Sequence, residues 1–198
     1  MRSVLNWKIT TLVFIVGTLL QACGDDGIID IPSSEDQLTS DIAEIEDYLS
    51  TKGYTEVDTT DSEVRYVILN EGSGELIELN DIITLHYTAR LLDDQLVIST
   101  IDSVIENHNN VQPDSTTLLT KDVPLVFTHT SSGWGMASAT SVSGLADGGT
   151  AALLKINVGG SAKILVPSLF AGGELNSLRF SGSIPIVFDI YPVNVRKQ

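Results

Sequence analysis

The sequence predicts an α+β fold: a mostly antiparallel sheet packed on one short helix and preceded by an amphipathic helix. Two observations predict it. Apolar residues recur at helical spacing from residue 38 to residue 49, and past residue 53 short runs alternate between apolar and polar side chains. When apolar and polar side chains alternate with a period of two residues, one side of each strand faces a core. A sheet with a single packed helix is the economical way to bury those sides.

The predicted amphipathic helix covers residues 34–53. Ser33 or Ser34 can cap its start, acidic residues follow in the first turn, and Gly53 suits its end. This helix either packs on its own domain or binds a partner through its apolar face. The face is formed by Leu38, Ile42, Ile45 and Leu49.

The predicted strands are short and separated by turn residues. Two of them alternate around Tyr66 and Leu85, and three more follow later in the chain. A short helix is predicted between Gly149 and Ile156. Two long polar segments are predicted as loops, and loops of such length within a compact domain are usually functional or disordered. The later strands are 125–128, 162–166 and 184–195, and the polar segments are 101–123 and 130–143.

Residues 1–22 have the pattern of a signal peptide. Arg2 and Lys8 precede an apolar run that is too short for a comfortable membrane-spanning helix. The sequence Leu-Gln-Ala-Cys that ends at Cys23 resembles the lipobox of bacterial lipoproteins. Cys23 is the only cysteine, and lipidation would remove an exposed thiol. We therefore expect cleavage before Cys23, lipidation there and a tether at residues 23–33; a retained membrane anchor is the alternative.

The residues after Cys23 bear on location. Gly24 stands where an aspartate often signals retention at the inner membrane, so the lipoprotein resemblance implies anchoring at the outer membrane of a Gram-negative bacterium. The anchor would be acyl chains, palmitate among them. Asp25 and Asp26 resemble the acidic tag that carries some lipoproteins to the cell surface. The periplasmic side and the surface therefore both remain open.

The charge of the chain excludes some partners. The formal net charge is −15, and removal of residues 1–22 leaves nine basic and 26 acidic residues, a charge of −17. Such a surface repels nucleic acid and anionic lipid, so membrane contact is expected through the acyl chains.

The three histidines, His86, His108 and His129, lie on different predicted segments without the spacing of metal ligands, so no metal site is predicted. His86 is expected to face away from Tyr87 on the same strand.

Four blocks of the sequence, in order, resemble FKBP-type peptidyl-prolyl cis-trans isomerases. Residues 85–94 resemble the motif V-H-Y-T-G-x-L-x-D-G, residues 124–127 resemble P-F-x-F, residues 158–167 resemble V-G-x-K-A-x-L-x-I-P, and residues 186–190 resemble L-V-F-D-V. The predicted FKBP-like domain covers residues 62–198. The resemblance implies an antiparallel half-barrel sheet wrapped on a short helix, with a shallow apolar pocket between them.

The resemblance also implies a site. Tyr87, Phe127 and Phe188 match catalytic aromatic residues of the family's pocket, although sheet aromatics can equally be ordinary core residues. The implied substrate-binding residues are Val97, Ile98, Leu125, Val142 and Leu145.

The match to the family's pocket is incomplete. Val97 and Ile98 stand where the family has Phe-Asp, and Leu145 stands where it has the tryptophan of the pocket floor. Gly172 stands where it has a tyrosine hydroxyl donor. Trp134, in the second polar segment, can be an exposed anchor for a partner or can fold back over the pocket. The fold can survive these changes while catalysis weakens.

The implied chemistry requires neither metal nor cofactor. Rotation about an X-Pro amide passes through a twisted state with a barrier of about 18–20 kcal/mol, and a dry aromatic pocket favours that less dipolar state. The expected function is that of a membrane-anchored prolyl isomerase, or rotamase, that helps proline-containing exported polypeptides to fold. The alternative is a weak or inactive FKBP-like domain that binds proteins as an accessory subunit of an outer-membrane complex.

Overall fold

The computed structural model describes residues 33–111, 123–136, 143–171 and 184–198. The predicted signal peptide, Cys23, nearly all of the tether, Val142 and Gly172 lie outside these residues. Among the described residues, no helix is long and apolar enough to cross a membrane. The helices are α1 (Ser34–Lys52), α2 (Asp102–Val111) and α3 (Ser143–Leu153), and the strands are β1 (Asp58–Thr59), β2 (Arg65–Asn70), β3 (Ile82–Leu91), β4 (Leu96–Ser99), β5 (Leu125–Thr130), β6 (Gly133–Met136), β7 (Ser161–Val166) and β8 (Ile186–Arg196).

The eight strands form one antiparallel sheet, which confirms the predicted fold class. The order is β1-β2-β7-β8-β3-β5-β6, and β4 pairs with β3. Strand β8 pairs with β3 along its whole length, while β5 and β4 share the opposite edge of β3. The sheet curls into a half-barrel around α3, and a single apolar cluster fills the space between them.

Helix α3 approaches the concave face of the sheet closely because glycines face the strands. A Cβ on Gly148 would lie 2.5 Å from Ile164 Cγ2 and 2.7 Å from Val64 Cγ1, and one on Gly144 would overlap Val166. The predicted start of this helix, Gly149, is wrong, because the helix begins at Ser143. Because glycine has a low helix propensity, the first turns of this helix were not predicted from the sequence. In the structure, the same glycines allow the helix to pack closely on the sheet.

Both predicted polar loops contain regular structure, so that part of the prediction is wrong. Segment 101–123 begins with α2, which buries Ile105. Segment 130–143 contains β6, whose Gly-Trp-Gly-Met sequence lacks strand alternation but pairs with β5 through the backbone. The parts at 112–122 and 137–142 lie outside the described residues.

Helix α1 packs on the convex face of the sheet. Ser33 caps its start and Gly53, with φ of 76°, caps its end, as predicted. Ile45 and Leu49 of the predicted apolar face are buried, whereas Leu38 and Ile42 are half-buried. The cluster between α1 and the sheet consists of Ile45, Tyr48, Leu49, Val67, Leu165 and Val187.

Asp41, fully buried on α1, fixes the helix to the turn that follows β7. Its Oδ2 accepts hydrogen bonds from the backbone N–H of Ser168 at 2.7 Å and from Ser168 Oγ at 2.6 Å. Its Oδ1 accepts one from Gln37 Nε2 at 2.7 Å. A helical pattern places an aspartate in solvent, so this contact was not predicted from the sequence. The bonds hold the 3-10 turn Ser168–Phe170 against α1.

One position in the core carries an unpaired histidine. His129 on β5 is completely buried opposite Trp134 of β6. Among the described residues, neither ring nitrogen of His129 has a hydrogen-bond partner, and the same holds for Trp134 Nε1 and Thr150 Oγ1. Burial lowers the pKa of His129 from its usual value near 6.5, because the charged ring would lose its hydration. Burial therefore disfavours the protonated ring relative to the neutral one.

Replacing Asp41 with Ala should destabilise the protein by about 2 kcal/mol, because it removes a charged acceptor from two buried Ser168 donors. Urea unfolding measures the loss. Glu44→Ala, on an exposed position of the same helix, should change the unfolding free energy by less than about 0.5 kcal/mol. Equal effects of the two substitutions would contradict the role of Asp41.

His129 should make stability depend on pH. Its folded-state pKa lies below the unfolded value, so the unfolded chain takes up a proton first as the pH falls below about 6.5. The stabilisation present above that pH should decline at up to about 1.4 kcal/mol per pH unit. Urea unfolding between pH 7.5 and 5 measures the slope, and His129→Leu should reduce it.

His108→Gln, at a half-buried position of α2, is the matched control and should leave most of the slope in place. An unchanged slope in His129→Leu would show that other groups are responsible.

Candidate functional site

Three neighbouring strands bring the predicted catalytic aromatics into one apolar cluster. In the sheet register, Ala89 of β3 lies opposite Phe188 of β8, and Ile83 of β3 lies opposite Phe127 of β5. The rings of Tyr87 and Phe188 are 6.3 Å apart between centroids and tilted by 50°. Tyr87, Phe127 and Phe188 are only 4, 2 and 1 % exposed. All three belong to one apolar cluster on the concave face, and together they are called the aromatic wall below.

The backbone of Tyr87 is held by a threonine that is not among the predicted site residues. Thr100 Oγ1 accepts a hydrogen bond from the Tyr87 N–H at 2.9 Å, and the Thr100 N–H donates to the Tyr87 carbonyl at 3.0 Å. The same hydroxyl lies 2.8 Å from Nδ1 of His86, whose ring is on the opposite side of the strand, as expected. These bonds join the end of β4 to β3 and fix the position of Tyr87.

Trp134 extends the aromatic wall from β6. Its ring stacks on Phe127 with 4.0 Å between centroids and 15° between planes. The indole also lies against Gly149 of α3, where a Cβ would collide with it. Trp134 is half-buried and belongs to a strand. The prediction of an exposed loop anchor is therefore wrong, and the alternative, an indole folded back onto the core, describes its position.

The predicted substrate-binding residues join the same cluster where the structure describes them. Val97, Leu125 and Leu145 are buried in it, and Ile98 packs against it half-buried. Val142 lies outside the described residues. Leu145 lies one helical turn before Gly149, against which the indole of Trp134 lies.

The described wall offers apolar surface and few polar groups. Ile98 contributes no carboxylate at the position where the family has an aspartate. Within the described residues, no cluster of His, Cys, Asp and Glu could hold a metal ion. What this arrangement can do chemically is exclude water from an apolar group and orient it; it supplies neither a charged acid nor a charged base.

Comparison with known proteins finds likeness in structure. No protein-family model matches the chain, and no curated protein sequence matches it. Among solved structures, FkpA from Escherichia coli is 18 % identical with a TM-score of 0.48, over 82 % of this chain and 62 % of FkpA. A peptidyl-prolyl cis-trans isomerase from Pseudomonas syringae is 19 % identical with a TM-score of 0.47, over 84 % of this chain and 98 % of that one.

A plant structure is also similar. The N-terminal domain of FKBP42 from Arabidopsis thaliana is 17 % identical with a TM-score of 0.46, over 72 % of this chain and 94 % of that one. In the present chain itself, the four sequence blocks lie on the strands of an antiparallel half-barrel wrapped on the short helix α3. That is the FKBP-like fold which the sequence predicts.

Proposed function

We propose that this chain is a membrane-anchored FKBP-type peptidyl-prolyl isomerase that helps exported, proline-containing polypeptides to fold. The observation that carries the proposal is the meeting of Tyr87, Phe127 and Phe188 in one apolar wall between the sheet and α3. These residue types match the family's pocket at their positions in the sequence. Thr100 holds Tyr87 in place through two backbone contacts.

The wall would act by desolvation. The planar X-Pro amide is more dipolar than the twisted amide at the top of the barrier, so transfer into an apolar site costs the planar form more. Tyr87 and Phe188 would contact the prolyl ring, and Val97 and Ile98 would border it. Rotation breaks no bond and moves no proton, so a site without an acid or a base suffices.

The same geometry predicts a slow enzyme. Ile98 offers no carboxylate at the position of the family's aspartate. A lost hydrogen bond of this kind costs about 1–3 kcal/mol, which is about tenfold to a hundredfold in rate when the bond acts in the transition state. We therefore expect measurable acceleration only at high protein concentration.

A second function is favoured by the burial of the aromatic residues. Tyr87, Phe127 and Phe188 are almost inaccessible in this conformation, and Trp134 covers Phe127. A domain that has lost the pocket's polar groups and closed its aromatic wall can serve as a protein-binding accessory subunit of an outer-membrane complex. In that case the fold would be retained without rate acceleration.

The proposed location rests on the sequence around Cys23. Lipidation of its sulfur would tether the domain to the outer membrane, on the periplasmic side or at the cell surface. The formal charge of −17 that remains after cleavage disfavours contact with anionic lipid. Acyl chains are therefore the proposed means of membrane contact.

The full chain, purified in detergent, should accelerate cis-trans exchange of an X-Pro peptide measured by NMR exchange spectroscopy. Tyr87→Ala should return the rate to the uncatalysed value because it removes the centre of the wall. Val126→Ala, at an exposed position on β5 next to Phe127, is the matched control and should keep the wild-type rate. Circular dichroism of each variant establishes that the fold is intact.

A wild-type rate equal to the uncatalysed one at high protein concentration would rule out the enzyme. Copurification of the lipidated protein with an outer-membrane complex would then support the binding module.

Replacing Cys23 with Ala should release the protein from the membrane fraction, since the acyl chains would have no attachment point. The unfolding midpoint and any isomerase rate should match those of the wild type, because the core lies within residues 33–198. Fractionation of cells in high salt, with the wild-type chain processed alongside, measures the effect. A Cys23→Ala protein that stays with the membrane would contradict lipid anchoring.

A further inference from the structure

A second concave site lies between α2 and the hairpin of β3 and β4. Its cavity has a volume of about 370 Å³, within the range of small-molecule sites. One side is formed by a continuous face of α2 and the other by the hairpin. The lining residues are Arg90, Leu96, Ser103, Val104, Asn107, His108 and Val111.

This cavity is on the opposite face of the sheet from the aromatic wall. Tyr87 and Ala89 of β3 belong to the concave cluster. Because side chains alternate along a strand, Arg90 points to the convex side, and Leu96 is its partner across the hairpin. A ligand of the cavity would therefore leave the aromatic wall unoccupied, and the inference does not depend on isomerase activity.

Arg90 is the uncommitted charge of the cavity. Its Nη1 donates to the backbone carbonyl of Asp94 at 3.2 Å, and within the described residues it forms no ion pair. The two carboxylates nearby are already bound: Asp94 by Lys52 at 2.6 Å and Asp189 by Lys163 at 2.6 Å. Most of the guanidinium's five N–H donors thus remain available to an anion in an otherwise acidic protein.

The rest of the lining specifies what kind of anion fits. His108, Asn107 and Ser103 offer polar side chains along the α2 face, while Leu96 and Val104 offer apolar surface beside them. None of the lining residues is acidic. Planar bidentate pairing with arginine suits a carboxylate as well as a phosphate, but the apolar surface of Leu96 and Val104 favours a carboxylate that carries an apolar group over a bare phosphate.

We propose that this cavity binds a carboxylate carried next to an apolar group. Two sources present that chemistry: the C-terminus of a polypeptide that ends in an apolar residue, and a small branched organic acid. In either case the carboxylate pairs with Arg90, and the apolar group lies against Leu96 and Val104.

Isothermal titration calorimetry on the full chain in detergent tests the proposal. The probes are N-acetyl-glycyl-leucine, its C-terminal amide and 4-methylpentanoate. The dipeptide acid should bind saturably, and the amide should bind at least about tenfold more weakly, since one ion pair is lost. Arg90→Gln should weaken binding of the acid by about the same factor, while Arg90→Lys should retain part of it.

Arg196→Gln is the matched control: Arg196 lies exposed on β8 without an ion pair to any described residue, and its loss should leave binding unchanged. Val104→Asp should abolish binding of the acid by placing a like charge in the cavity. A thermal melt of each variant shows that it is folded.

The probes separate the two sources. Binding of 4-methylpentanoate as tight as that of the dipeptide supports a small acid, whereas binding about tenfold weaker supports a polypeptide terminus. Equal binding of acid and amide, equal binding by wild type and Arg90→Gln, or no saturation at millimolar concentration would each overturn the proposal.

Discussion

The close contact between the glycines of α3 and the sheet is the constraint on which the concave side of the molecule depends. A Cβ at Gly148 would collide with the side chains of Ile164 and Val64 on the sheet. The missing side chain of Gly149 leaves space for an indole. Trp134 fills that space from β6 and stacks on Phe127. A residue from a strand far along the sheet thus closes the space between α3 and Phe127.

Local signals made much of the fold predictable. Strand alternation around Leu85 and the caps at Ser33 and Gly53 are read from neighbouring residues, and the structure confirms them. Asp41 and Trp134 are different, because their partners lie far away in the chain and no periodic pattern marks a pairing of that kind. Strand β6 was not predicted either. Its Gly-Trp-Gly-Met sequence lacks the alternation of a strand and pairs with β5 through backbone N–H and C=O groups, which are present in any sequence.

Strand β3 has a separate role on each of its faces. Tyr87 faces the concave aromatic wall and Arg90 faces the convex cavity, three residues further along. The strand is anchored along one edge by β8 and along the other by β5 and β4 in turn. A rigid shared strand can support two sites of unlike chemistry, one apolar and one cationic, because alternation keeps their side chains apart.

The outermost strands of the described sheet are short, since β1 has two residues and β6 has four. A sheet edge with so few unpaired backbone groups is a poor template for a strand from another molecule. Lipid anchoring would confine many copies to two dimensions, where collisions between edges are frequent. Short edges, together with mutual repulsion between acidic surfaces, would then keep crowded neighbours from joining into a continuous sheet.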